Sequence, residues 1–591
     1  MRRSGRTGPG KVRAKNTRPA HRPATPTPTS LASPVLLVGA GTGEATCGIL
    51  YLASYLRRNG VEAFVRLHDD DETTQELTGS LERLMGRVRP RLVGISLKWF
   101  HHLGRAKLIA ETLRRIDPEV RLVLGGNTAS WFWRELGTWE SIDDVVTGDG
   151  EVPLLALCRG EVSPPNCIGA DGSRAPLGYV QGAGSREVHY SHFDELFLSL
   201  LDQHSFSGWV APGKGCGENC VYCGGGRGLQ EASFGRARPF LRPPESVRRD
   251  HREIAPLVWQ LRYDFSGGTA EFLAQTWKGL DLSGHSTTYF LWGVPPEPLV
   301  ELLASTFGRV YLVLDLGCFS SDQRSELHRR GLLKRCPTDG ELLDAVRRCL
   351  RYSNVELEVC GIAGLPFTSA QALDQEHRLI EQLLGLGCAV GYQRLESQPG
   401  ALVTEHAGRF GMVSQARSFD EFLGWFSRGD PARVGPVPMV RFVDRNVERS
   451  VERAFEHLDE LVQRQVAHAT AIDDDSRLKA SVASMKQVAL SDWFGSHRVP
   501  PSVAKEQVTV VRSINGSGLA CAPSLSSRRF NDPLLQQGAA GSAVLAALTA
   551  FSRPTTVGRA LASLGSNVEL DLGSWRELVE HLAHGRFLQR A

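Results

Sequence analysis

Cys216, Cys220 and Cys223 stand in the run Gly215-Cys216-Gly217-Glu218-Asn219-Cys220-Val221-Tyr222-Cys223. Three thiolates spaced CxxxCxxC can hold three corners of a cubane iron–sulfur cluster. A [4Fe–4S] cluster normally takes four cysteine thiolates, so a triad with no obvious fourth partner leaves one iron open to a ligand of other chemistry. A zinc site completed by a distant residue is the plainer alternative. Zinc ligands usually come as paired CxxC or HxxxH spacings, and no second pair follows here.

The elements around this loop have to position it. Gly208 to Ala211 reads as the strand that leads into the loop. Further strands are expected at Trp259 to Phe265, Thr287 to Trp292, Val310 to Leu314, Val355 to Cys360 and Ala389 to Gln393, with helical stretches between most of them. Six such units predict a partial (β/α)6 barrel over residues 205–410, its active site at the strand carboxyl ends by analogy with closed barrels.

An earlier α/β unit is expected over residues 33–160. Pro34 to Ala40 is a short apolar run ending in glycine, and an amphipathic stretch from Glu44 to Asn59 follows. The alternation recurs from Ala63, Leu92, Arg121 and Asp143, and five strands interleaved with helices predict a doubly wound, Rossmann-like parallel sheet. Ligands of such sheets sit beyond the strand carboxyl ends. Those ends are Gly39-Ala40-Gly41-Thr42, Arg66-Leu67-His68-Asp69, Gly94-Ile95-Ser96 and Gly125-Gly126-Asn127. Gly39-x-Gly41-x-Gly43 is not the GxGxxG of a nicotinamide site. His68 could in principle reach a metal in a ligand bound there, but followed by three aspartates it reads more readily as a solvated loop residue.

Composition bounds the rest. A chain of 591 residues holds three or four domains, and a net charge of +3 gives no pull toward nucleic acid or membrane. The tail 1–32 is basic and rich in Pro and Thr, and is expected to be disordered. A Pro/Gly-containing connector is expected over 161–204 and a mainly helical domain over 411–591, with amphipathic stretches at Glu448 to Ala467 and Leu478 to Trp493. The 12 cysteines are scattered rather than packed into a small framework, which fits a reducing cytoplasm. No apolar run approaches a membrane span.

The triad, with Tyr222 before its third cysteine, resembles the signature of the radical S-adenosylmethionine superfamily, whose open iron binds the amino and carboxylate groups of S-adenosylmethionine. Ser266-Gly267-Gly268-Thr269 lies where that family's Gly-Gly-Glu motif contacts the methionine amino group, implying cofactor contacts at Gly267 and Gly268. Gly361 to Pro366 resembles its Gly-x-x-Gly-x-Pro turn, and Gln398-Pro399-Gly400-Ala401 its late Pro-Gly-Thr. The first domain resembles the cobalamin-binding domain that precedes many such barrels, through Gly94-Ile95-Ser96, Gly125-Gly126 and Thr147-Gly148-Asp149-Gly150-Glu151. That likeness implies cobalamin contacts at Gly39, Gly41, Thr42, Arg66, Ser96, Gly125, Gly126, Asn127, Gly148 and Glu151.

The domain order is that of cobalamin-dependent radical S-adenosylmethionine methyltransferases. Two residues carry a finer resemblance. No DxHxxG string occurs between Ser33 and Arg159, so a histidine ligand to cobalt is not implied. A guanidinium offers no lone pair, so Arg66 under the corrin would leave the lower face of cobalt empty; a surface arginine at a strand end is the alternative. Thr269 holds the usual acidic position, and Glu271, a carboxylate able to bind iron, could cap the open iron; an acid opening the next helix is the alternative. With these departures the chain most resembles the tryptophan 2-C-methyltransferases of thiopeptide pathways. That implies methyl transfer from S-adenosylmethionine through cobalamin to indole C2, with an electron donor for reductive activation. Radical methylation of an aliphatic carbon in a peptide, polyketide or carbapenem-like intermediate is the rival, and a non-catalytic cobalamin sensor a third reading.

Overall fold

The computed structural model describes residues 34–457, apart from 42–45, 69–72, 170–176, 183–184, 187, 192–207, 237, 256–259, 264–268, 284 and 428–438. Three strand segments near the carboxyl terminus are also described: Ser496–Arg498, Thr555–Thr556 and Gln589–Arg590, the first pairing antiparallel with each of the others. The basic tail, the stretch Leu478 to Trp493, and Thr42, Gly267 and Gly268 lie outside the described residues.

β1 (Val35–Gly39), β2 (Ala63–Leu67), β3 (Leu92–Ser96), β4 (Arg121–Gly125) and β5 (Asp144–Val146) form a parallel sheet in the order β2-β1-β3-β4-β5. Every residue of β1 and β2 is buried, as a sheet covered on both faces requires. Helices form where the chain supplies caps. The Thr73 hydroxyl accepts from Glu76 N while Glu76 reaches back, opening the helix Thr74–Val88 with a capping box. β6 (Cys167–Gly169) adds antiparallel to β5. Part of the expected connector is therefore sheet, a strand too short for periodicity to reveal.

β7 (Gly208–Val210) opens the second sheet, and β8 (Gly213–Lys214) pairs antiparallel with β9 (Phe240–Leu241). β10 (Gln260–Tyr263), β11 (Ser286–Trp292), β12 (Arg309–Asp315), β13 (Val355–Ala363) and β14 (Ala389–Arg394) follow, each parallel to its predecessor from β7 onward. The sheet order is sequential with β7 and β14 at the edges, the open partial barrel expected from the sequence. Leu261, Tyr263, Tyr289, Leu312, Leu314, Leu357 and Val359 make one face, buried in the main apolar cluster. Alternation then gives the other face Arg262, Thr288, Tyr311 and Glu358, all buried although polar. A face that buries charge on adjacent parallel strands is built for something other than packing.

The region after 411 opens with β15 (Met412–Ser414) and β16 (Val440–Phe442), paired antiparallel, and the helix Phe419–Phe426. This helix packs on the first domain, where Phe419, Phe422 and Phe426 join the cluster of Phe100, Leu103 and Phe132. A helix over 445–457 follows. Among the described residues no helix is long and apolar enough to cross a membrane, and no disulfide forms.

Candidate functional site

The cysteine loop hangs between β8 and β9 and is backed by distant turns. Val221 N donates to Leu332 O at 2.7 Å, and Val403 N donates to Val221 O at 2.9 Å. Gly224 N donates to Gln398 Oε1 at 2.9 Å. A side chain at Gly224 would collide with the Pro399 carbonyl oxygen, so the Gln398-Pro399-Gly400-Ala401 turn is a wall of the cysteine pocket. Gly400 in turn packs against the Trp131 ring of the first domain.

The three thiols lie within electrostatic reach of one another. Glu218 N donates to Cys216 Sγ at 3.5 Å, and Gly225 N to Cys223 Sγ at 3.3 Å. Such amide–sulfur bonds favour thiolate and tune cluster potentials. Burial pushes the Cys223 thiol up to about 11 and raises Cys220, against Lys334. Among the described residues no three His, Cys, Asp or Glu side chains converge closely enough for one metal ion, whereas a cubane takes each thiolate on a different iron. The donor set fits a cluster held by Cys216, Cys220 and Cys223.

Gly39, Gly41, Ser96, Gly125, Gly126 and Asn127 come together as one lip at the carboxyl ends of adjacent strands β1, β3 and β4. Ser96, Gly125, Gly126 and Asn127 are part-exposed, while the strand residues before Ser96 and Gly125 are buried. Gly126 has φ +116°, and a Cβ there would stand 2.5 Å from Leu97 O; only glycine lets the chain turn here into the helix Asn127–Trp131. Gly41 lies against the His102 ring. The lip presents backbone rather than bulk, which fits a large flat cofactor.

Arg66 is buried on β2, opposite Val38, and is not the surface arginine the alternative required. His68 is also fully buried, its amide donating to Gly39 O at 3.2 Å. The expectation of a solvated histidine fails because the chain remains on the sheet edge for one residue beyond β2. Glu271 is exposed at the second position of the helix Ala270–Trp277, whose cap Thr269 accepts from Phe272 N. Bonds with its own amide and the Thr269 hydroxyl hold its carboxyl below the usual range. It sits as a helix-opening acid.

Gly148 is part-exposed on the loop after β5, and Glu151, buried, opens the helix Glu151–Cys158 that follows. Gly148 N donates to Ser130 Oγ at 3.0 Å. The buried Glu151 carboxylate pairs with Lys214 Nζ at 3.6 Å; burial raises its pKa, with Asp149 adding and Lys214 opposing. Sequence reasoning missed the larger arrangement around it. Asp149 takes Lys214 at 3.2 Å and Arg236 at 2.6 Å; burial alone would raise Asp149, but the two cations hold it below the usual range. A second cluster, Tyr51–Asp250–Arg242, also joins the domains: Asp250 Oδ2 accepts from Tyr51 Oη at 2.5 Å and Arg242 Nη1 at 2.7 Å. The only local signal was a charged residue beside glycines or inside an already charged helix.

On the polar barrel face, the Tyr311 hydroxyl donates to Glu358, which also accepts from Cys360 Sγ at 3.1 Å. Trp292, ending β11, is 53% exposed, with Lys334 Nζ 2.9 Å from its ring centre. These were also missed, because a parallel strand carrying an acid looks like an interrupted apolar run.

Residues 34–158 match the family model described as B12 binding domain. No curated protein matches the chain. Solved structures that share the fold include two of one enzyme. One is the radical S-adenosylmethionine methyltransferase TsrM from Kitasatospora setae with cobalamin and a [4Fe–4S] cluster bound, at 16% identity and TM-score 0.53, covering 71% of this chain and 91% of that one. The other is TsrM from Kitasatospora setae with tryptophan substrate and the analogue aza-SAM, at 17% identity and TM-score 0.52, covering 72% and 83%. The chain thus carries a B12-binding domain in front of an open parallel barrel.

Proposed function

We propose that this protein is a cobalamin- and [4Fe–4S]-dependent C-methyltransferase that moves methyl from S-adenosylmethionine, by way of cobalamin, to C2 of tryptophan. The observation that carries the reading is the juxtaposition of two sites. The glycine lip of the B12-binding domain and the cysteine loop are fastened to one another through Trp131–Gly400 and Asp149–Lys214. The TsrM structures, holding cobalamin, cluster, tryptophan and aza-SAM on this fold, supply the cofactor and substrate classes.

When bound, cobalamin carries the methyl group and the cluster serves the S-adenosylmethionine chemistry beside it. Cys216, Cys220 and Cys223 would hold the cluster. Gly39, Gly41, Ser96, Gly125, Gly126 and Asn127 would hold the corrin. Arg66, buried on β2, would offer a bound cobalamin a group that cannot donate a lone pair. Trp292 offers ring surface to a planar acceptor. Methylation of an aromatic carbon releases a proton, and Glu358, which holds the Tyr311 hydroxyl on the polar face, would be its acceptor. An electron donor in a reducing cytoplasm would keep both cofactors active.

One observation favours a second reading, radical methylation of an aliphatic carbon. Glu271 is engaged with its own helix start, an arrangement that leaves the fourth iron to S-adenosylmethionine. Anaerobic turnover with S-adenosylmethionine and tryptophan separates the two. S-adenosylhomocysteine and 2-methyltryptophan without 5′-deoxyadenosine support the proposal. Stoichiometric 5′-deoxyadenosine, or methylation of another acceptor and not tryptophan, refutes it.

A further inference from the structure

The residues flanking the cysteine loop are not free to move relative to the first domain. Lys214 precedes Cys216 by two positions, and Arg236 follows the helix Arg227–Phe234 that leaves the loop. Both cations end on one carboxylate: Asp149 Oδ1 accepts from Lys214 Nζ at 3.2 Å and Asp149 Oδ2 from Arg236 Nη2 at 2.6 Å. Gln181 N donates to Oδ2 as well, at 2.8 Å. Arg236 is held from its other side by Gln230 Oε1 at 2.8 Å, with the Phe234 and Phe240 rings 5.5 and 5.6 Å from its guanidinium. Asp149 and Arg236 are both nearly inaccessible, at 3% and 5% side-chain exposure.

Asp149 is itself anchored. Asn166 Nδ2 donates to its carbonyl oxygen at 3.3 Å and to Tyr179 O at 2.8 Å, while Tyr179 N donates back to Asn166 Oδ1. Asp149 follows Gly148 directly beyond β5, next to the strand whose end carries Gly125 and Gly126. One side chain therefore joins the end of the first sheet to both ends of the cluster-bearing segment.

We infer that Asp149 is a positioning residue that sets the separation of the cobalamin and cluster sites. The inference rests on the functional reading above. Charge balance supports it: Asp149 and Glu151 face Lys214 and Arg236, two anions against two cations, in a site where an unpaired charge is costly. Asp149→Asn weakens its hold on both cations and leaves Glu151 alone against two, so the loop settles at a different distance from the lip. Displacements of about 1 Å can cost on the order of 100-fold in rate.

The test uses full-length enzyme loaded anaerobically with both cofactors. The variants are Asp149→Asn and Lys214→Met, the second at a part-exposed position. The direct readout is the dipolar coupling between the reduced cluster and cob(II)alamin by electron paramagnetic resonance, which depends on separation and not on turnover. Both variants are expected to bind cluster and cobalamin at wild-type stoichiometry and to show weakened or broadened coupling. Their kcat should fall by about tenfold, with KM for S-adenosylmethionine within about twofold, and Lys214→Arg should restore the coupling. Wild-type coupling and kcat in both variants overturn the inference, as does general loss of fold in both, which would make Asp149 a folding residue. Wild-type protein that loads neither cofactor refutes the functional reading and this inference with it.

Discussion

Removal of the Asp250 carboxylate should destabilise the joint between the two domains more than any exposed ion pair could. Asp250 is fully buried and accepts three bonds: Tyr51 Oη at 2.5 Å and Arg242 Nη1 at 2.7 Å on one oxygen, Tyr190 N at 2.7 Å on the other. Arg242, 3% exposed, also donates to Ala211 O and Val188 O and has Tyr51 beneath its guanidinium. Its charge cannot be discharged by losing a proton. Asp250→Ala leaves that cation buried without a counter-charge, and breaking one side of a buried pair costs about 3–5 kcal/mol. Asp250→Asn should fare little better. Whichever way the amide is turned, its NH2 meets a donor, either Tyr190 N or Arg242 with Tyr51. Urea unfolding followed by tryptophan fluorescence reads the effect. For a chain of 591 residues the slope exceeds the ~1–3 kcal/mol per molar of urea of small proteins, so the midpoint should fall by roughly 0.5 M or more in both variants. An Asp250→Asn midpoint within about 0.3 M of wild type would show that the carboxylate's charge does not hold the joint, and the reasoning from buried charge would fail.

Gly224→Ala forces a Cβ against the Pro399 carbonyl and to 3.2 Å from Gln398 Cβ. Overpacking costs about 1–3 kcal/mol, and iron and sulfide per protein should drop severalfold after reconstitution; full cluster content would refute the wall. Gly126→Ala meets Leu97 O from a left-handed backbone and should weaken cobalamin binding at least tenfold by absorbance titration, while cluster loading stays at the wild-type level. Burial lifts Glu376 to about 7 from an ordinary 4.5, against bonds from Tyr392 Oη and Phe319 N. Between those pH values the folded state keeps a proton that the unfolded state loses, so this group makes stability decline as pH rises from about 4.5 to 7. Glu376→Gln can still meet both partners and should remove that slope, gaining roughly 1–3 kcal/mol at pH 8; urea midpoints at pH 5.5 and 8 that change in parallel with wild type would exclude it.

The barrel strands were legible because each is a short apolar run between helical stretches, and β10 to β14 begin or end within a few residues of the expected limits. The cysteine loop and the glycine lip were legible for a different reason: both are local, the first through its spacing and the second through the resemblance of its strand ends to cobalamin-binding domains. What escaped was contact between distant positions. Nothing near Asp149 in sequence announces Lys214 or Arg236, and nothing near Tyr51 announces Asp250. His68 was misjudged from the aspartates that follow it, since composition around a residue cannot say where a sheet edge ends. Tyr311 and Glu358 were passed over because inward polar residues on a buried strand differ from noise only when neighbouring strands are aligned.

The walls of the cysteine pocket come from chain far beyond the cysteines themselves, at Leu332, Gln398-Pro399 and Val403. A ribosome adding ~5–20 residues per second needs roughly 10–40 s to travel from Cys223 to Val403. Throughout that interval the nascent chain displays three thiols on an unbacked loop, open to oxidation or to the wrong metal. On the proposed function, cluster insertion belongs after synthesis of the barrel's last strand, and slow translation beyond residue 223 would lower the yield of cluster-loaded protein without changing a single side chain.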